Sequence, residues 1–217
     1  VNLCEDRYRF TVALAAALLA GKTSLFPPSR HEQALARVFA AYPDAGAIAE
    51  EAVPGCAEAL VLYPPDLGAD EWSEAVPAIP ADRLAAIVFT SGSTGVPQPN
   101  AKRWGNLVAS GTAERAALEL PAGGFNVLGT VPPQHMYGFE STVLMALAGG
   151  GALHPARPLF PRDVQAALDE LPEGKRERGW IDMNDVERAA RYLLSDSVLS
   201  GWVQERLDAR IRHLLVD

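Results

Sequence analysis

The stretch Thr90-Ser91-Gly92-Ser93-Thr94-Gly95 is the part of this sequence best suited to chemistry. Six residues without a bulky side chain let the backbone turn tightly and approach a ligand. Their hydroxyls, with consecutive turn amides, form a donor set that suits the oxygens of a polyphosphate. Serine and glycine also dominate ordinary turns, so the loop taken alone reads equally as a plain connection. Its setting is more specific. Ile87, Val88 and Phe89 ahead of it read as a buried strand, and Pro97 closes it two residues on. A second segment, Val131 to Glu140, places His135 and Gly138 between a strand end, two prolines and an apolar helix. A lone histidine there has a structural role by default. Gly21-Lys22-Thr23 has the wording of a Walker A end, but Ala16 stands where the first glycine is required and the residues before it read as helix. That motif is a decoy.

The complete string Thr90 to Gly95, followed by Val96 and Pro97 behind a strand, resembles the phosphate-binding loop of the adenylate-forming enzymes. That family comprises acyl-CoA synthetases, luciferases and peptide-synthetase adenylation domains. Pro132-Pro133-Gln134-His135-Met136-Tyr137-Gly138 is similar to the family's Pro-x-x-His-x-x-Gly segment. The resemblance covers about residues 1–172. It implies ATP and Mg²⁺, a small-molecule carboxylic acid as substrate and an acyl-acceptor thiol. The parent reaction is acid plus ATP giving acyl-adenylate and pyrophosphate. By the same resemblance Thr90, Ser91, Gly92, Ser93, Thr94 and Gly95 face the phosphates. His135 stands on the carboxylate side, with Met136, Tyr137, Gly138 and Phe139 around the acid. The family's loop usually continues with lysine, but Gln98 follows Pro97 here. Lys102 or Arg103 is the nearest replacement charge, or both belong to a short solvated basic stretch. Lys102-Arg103-Trp104-Gly105 looks like a divergent branch of acyl and aryl-acid ligases.

The family's aromatic-Gly-x-Thr-Glu motif over the adenine, its ribose aspartate and its C-terminal lysine find no counterpart in these residues. The chain is therefore expected to be weak or inactive as a ligase, and a non-catalytic ATP-binding module is the alternative. The sequence changes character after Gly174, which divides it into a partial adenylation domain (1–173) and a helical tail (174–217). Within the tail, about 176–217 resembles the stretch of UvrD-like superfamily I DNA helicases that runs into their Walker B strand. That resemblance implies Asp217 as a Mg²⁺ ligand and a helicase fragment joined to a ligase fragment.

The elements that must position these residues alternate. Helices are expected over 6–20, 31–41, 104–119, 137–148 and 161–170. Strands are expected at Thr23–Phe26, Ala47–Ala49, Ala59–Tyr63, 84–90, Asn126–Val131 and just before His154. Strands separated by helices predict an α/β fold, a layered and mostly parallel sheet with flanking helices, carrying a mainly α-helical tail. Ligands in such sheets bind beyond the carboxyl ends of the strands, where the Ser/Gly loop falls. The 217 residues are 48% hydrophobic and 21% charged, a globular composition. A net charge of −8 argues against nucleic-acid partners. The apolar run Thr11–Ala20 is shorter than the roughly 20 residues that cross a bilayer, and acidic residues precede it, so no membrane role is expected. Cys4 and Cys56 fit neither a disulfide framework nor a metal spacing. They read as reduced, semi-buried thiols of a cytoplasmic protein.

Overall fold

A computed structural model describes residues 1–56, 60–64, 77–90, 97–121 and 124–170. The expected phosphate contacts Ser91–Gly95 lie outside these residues, as do the tail 174–217 and Asp217. The chain divides into Val1–Lys175 and Arg176–Asp217, and the description concerns the first unit.

Helix α1 (Arg7–Leu19) starts where Asp6 accepts the Arg9 amide at 2.9 Å, a side-chain cap on an otherwise unpaired donor. Glu50 accepts the amides of Glu5 and Asp6 at 3.1 and 2.9 Å, which fixes the entry to the helix. Phe10, Leu14 and Leu18 recur at helical spacing and form its buried stripe. Strand β1 (Ser24–Phe26) follows, then α2 (Glu32–Ala41), which buries Leu35 and Val38. Strands β2 (Ala47–Ala49) and β3 (Leu60–Leu62) pair in parallel. Strand β4 (Leu84–Thr90) lies parallel to β1, with Phe26 opposite Val88. On its other side, β4 pairs antiparallel with β5 (Gln98–Arg103), Thr90 opposite Gln98. Helix α3 (Trp104–Ala117) follows directly. Strand β6 (Asn126–Val127) pairs in parallel with β7 (Ala152–Leu153). Between these two strands, α4 (Met136–Gly138) runs through the wider π turn Phe139–Leu144 into α5 (Met145–Gly149). Helix α6 (Pro161–Asp169) begins with proline at its first position, where the missing amide costs nothing.

Two expectations need correction. Among the described residues the strands form three small sheets rather than one layer, and the pairing on either side of the Ser/Gly loop is antiparallel. The loop therefore closes a hairpin instead of leading from strand to helix. Strand β6 is also shorter than Asn126–Val131, because the carbonyls of Gly129 and Val131 accept hydrogen bonds from Arg7 rather than from a neighbouring strand.

The main core gathers α1, β1, β4 and the helix after Pro133. Its centre is an aromatic cluster, with Phe26 at 4.9 Å from Phe10 and 5.0 Å from Phe139 between ring centroids. All three rings are fully buried. Phe139 thus belongs to the core and not to an acid-binding wall. Cys4 and Cys56 are free thiols and are buried more deeply than expected. Burial, reinforced by Glu50 and Asp6, pushes the Cys4 thiol up to about 12. Among the described residues, no helix is long and apolar enough to cross a membrane.

Replacing Phe139 with alanine should cost about 3–5 kcal/mol, because the cavity joins two other buried rings. Phe160, which is 68% exposed, should tolerate the same change within about 0.5 kcal/mol. Urea midpoints of the two variants, read at constant slope, measure the difference. Similar shifts in both would contradict this placement of the core.

Candidate functional site

Parallel β1 and β4 end side by side, and the chain leaves both at the same sheet edge. Beyond Phe26 it runs through Pro27-Pro28-Ser29-Arg30 to His31, which precedes α2. Beyond Thr90 it enters the Ser/Gly loop. Thr90 is exposed, and its hydroxyl lies 3.4 Å from the Asn100 side-chain amide. That amide also donates to Gln98 O at 3.1 Å, so Asn100 fastens the open end of the hairpin.

Lys102 pairs with Ala86, four positions from Gln98 along β5. At about 3.4 Å per residue its backbone is roughly 14 Å from Gln98. Arg103 donates to Asp82 O at 2.5 Å.

His135 is exposed and stands just before α4. Its amide donates to Pro132 O at 3.2 Å, and its carbonyl accepts from the Phe139 amide at 2.8 Å. The next three residues divide their roles. Met136 packs against the main core, Tyr137 is half exposed, and Gly138 is buried where the helix meets the preceding turn. A Cβ on Gly138 would stand 2.3 Å from Pro132 O and 2.9 Å from Val131 O. The glycine in this segment is thus required by close approach, since its backbone is ordinary helix.

The segments after β1 and before α4 enclose a cleft of about 290 Å³. Arg30, His31, Gln134, His135, Arg157 and Glu5 supply its polar groups. Prolines 27, 28, 132 and 133 form the rest of the wall together with Ser29. Arg30 and Glu5 are joined at 2.6 Å. Arg157 makes no ion pair among the described residues.

Behind the cleft, Arg7 is completely buried. Its guanidinium donates to Gly129 O at 2.9 Å, Val131 O at 2.8 Å and Ala156 O at 3.0 Å, and among the described residues it forms no ion pair. Desolvation, with a further push from Arg157, lowers it to about 10. His154 is also buried. Its Nδ1 accepts the Ala156 amide and its Nε2 faces Glu170, both at 3.3 Å, which steadies the segment leading to Arg157.

Of the residues singled out from sequence, Thr90 and His135 reach this sheet edge. Arg7, Arg30, His31, Arg157 and His154 were not legible there. Arg7 reads as an ordinary polar helix start, and no spacing links Arg30 to Arg157.

The profile of the AMP-binding enzyme family matches residues 8–175. Sulfoacetate–CoA ligase from Cupriavidus necator is 28% identical over 176 residues, covering 74% of this chain and 32% of that protein. Among solved structures, a malonyl-CoA ligase ternary product complex with methylmalonyl-CoA and AMP superposes with a TM-score of 0.60 at 21% identity. It covers 78% of this chain and 37% of the other. The o-succinylbenzoate coenzyme A synthetase of Bacillus subtilis, in complex with ATP and magnesium ion, gives a TM-score of 0.56 at 19% identity, over 77% and 36%. Identities this low establish shared fold alone. The chain spans about a third of the length of these proteins.

Gly138→Ala should displace the Pro132–His135 turn and lower stability by about 1–3 kcal/mol. The amide resonances of His135 and Phe139 should shift together in the variant. Unchanged resonances with wild-type stability would show that the close approach is not a constraint.

Proposed function

The chain belongs to the AMP-binding enzyme family, and from that premise we propose that it carries the phosphate and acid subsites of an adenylate-forming ligase. The supporting observation is the β1–β4 register, Phe26 opposite Val88. It brings the connection after Phe26 and the loop after Thr90 to one sheet edge, the place where α/β sheets bind ligands. In this reading Thr90, Ser91, Gly92, Ser93, Thr94 and Gly95 hold the β and γ phosphates of ATP, with Mg²⁺ arriving as their counter-ion. His135 faces the carboxylate of the acid, and a carboxylate oxygen attacks the α-phosphorus while pyrophosphate leaves. A thiol acceptor would take the acyl group in a later step.

The groups that the family resemblance assigns to the adenine, the ribose and the transition-state charge find no match in these 217 residues. We therefore assign binding to this chain and little or no turnover. Residues 176–217, with Asp217, take no part in the assignment.

Calorimetric titration of ATP–Mg²⁺ into the 217-residue chain should show saturable binding. A Gly92→Val, Gly95→Val double variant should lose at least about tenfold in affinity, about 1.4 kcal/mol. Neither form should release pyrophosphate at a saturable rate when acids are supplied. Equal affinity in both forms would remove the loop from the site, and saturable pyrophosphate release would overturn the expected inactivity.

A further inference from the structure

We propose that the cleft beside His135 receives the second acidic group of a small substrate acid, so that the acids it fits are compact dianions. The inference rests on the ligase reading above for the role of the first carboxylate, but its physical basis is the cleft itself. Arg30, Arg157, His31 and His135 line it, against one acid, Glu5. Glu5 is already joined to Arg30 at 2.6 Å, which leaves Arg157 without an ion pair among the described residues. Two arginines against one carboxylate, in a chain of net charge −8, run against the bulk composition, and the two imidazoles beside them add hydrogen-bonding groups. The buried Arg7 guanidinium behind the cleft donates to three carbonyls, forms no ion pair among the described residues and adds to the positive field.

The walls narrow the choice further. Their apolar part is proline, and among the described residues no leucine, isoleucine, valine, methionine or aromatic side chain lines the space. An alkyl chain or an aryl ring would gain little there, since such pockets are ordinarily lined by large apolar side chains. A guanidinium, by contrast, matches a carboxylate or sulfonate through paired N–H donors. Proline walls hold their backbone angles without help from a ligand, so the cationic groups stand on a fixed frame. The volume of about 290 Å³ suits a short acid.

The test is calorimetry on the full chain without nucleotide. Succinate and 3-sulfopropionate would be compared with butyrate and benzoate, with inorganic pyrophosphate as a further arm. The dianionic acids should bind at least about tenfold tighter than the monoanions. Arg157→Gln should abolish that preference while circular dichroism shows an unchanged fold, and Arg157→Lys should keep most of it. Arg30→Gln, which also frees Glu5 inside the cleft, should weaken the dianions in the same sense. Equal binding of mono- and dianions, or a preference that survives Arg157→Gln, would overturn the proposal. Tight pyrophosphate binding with no dicarboxylate binding would overturn it too, assigning the cleft to phosphate. ATP–Mg²⁺ affinity measured in parallel separates the two readings: nucleotide binding without dianion preference contradicts the cleft assignment alone.

Discussion

The guanidinium of Arg7 joins α1 to two segments that run on from the short β6–β7 ladder. It sits in the first turn of α1 and donates to carbonyls at Gly129, Val131 and Ala156, more than 120 residues away. Its two terminal nitrogens make three bonds to carbonyls while Nε has no partner among the described residues, and bonds from a charged donor are worth about 1.5–3 kcal/mol each. The segment after β6 and the segment after β7 are therefore held at fixed distances from α1. Those segments carry His135 and Arg157. Gly129 is part of the same arrangement, because a Cβ there would meet an Arg7 terminal nitrogen at 2.7 Å.

This constraint fixes the turns that carry His135 and Arg157 although the sheets around them are small. Strands β6 and β7 pair over two residues each, too little to define the turns beyond them. Arg7 takes over where the ladder stops, and His154 with Glu170 supports the same segment from the other side. On the opposite flank, the β1–β4 register and the Asn100 side chain set the ends of the connections that lead to the cleft and the Ser/Gly loop. The aromatic cluster of Phe10, Phe26 and Phe139 links the two flanks, since its members come from α1, β1 and the helix after His135.

Much of this architecture was legible in the sequence. The helices expected over 6–20, 31–41 and 104–119 and the strand expected at Thr23–Phe26 correspond to α1, α2, α3 and β1. Strand β5 was not legible. Gln98-Pro99-Asn100-Ala101-Lys102-Arg103 has no apolar alternation and is largely exposed. It becomes a strand because β4 supplies the pairing, and its proline and charges are those of a sheet edge. The Ser/Gly loop and the histidine segment stood out because their wording is local. The cationic cleft did not, because Glu5, Arg30, His135 and Arg157 meet only after folding. Arg7 was hidden for the same reason: nothing in Asp6-Arg7-Tyr8 distinguishes a buried tie from a solvated helix start.

Amide hydrogen exchange on Arg7→Leu, compared with the parent chain, tests the central claim most directly. If the guanidinium holds the site edge, residues 128–135 and 154–157 should exchange faster in the variant while β1 and β4 keep their protection. Unchanged exchange in both segments would show that they are positioned without Arg7, and the account built on that tie would fail.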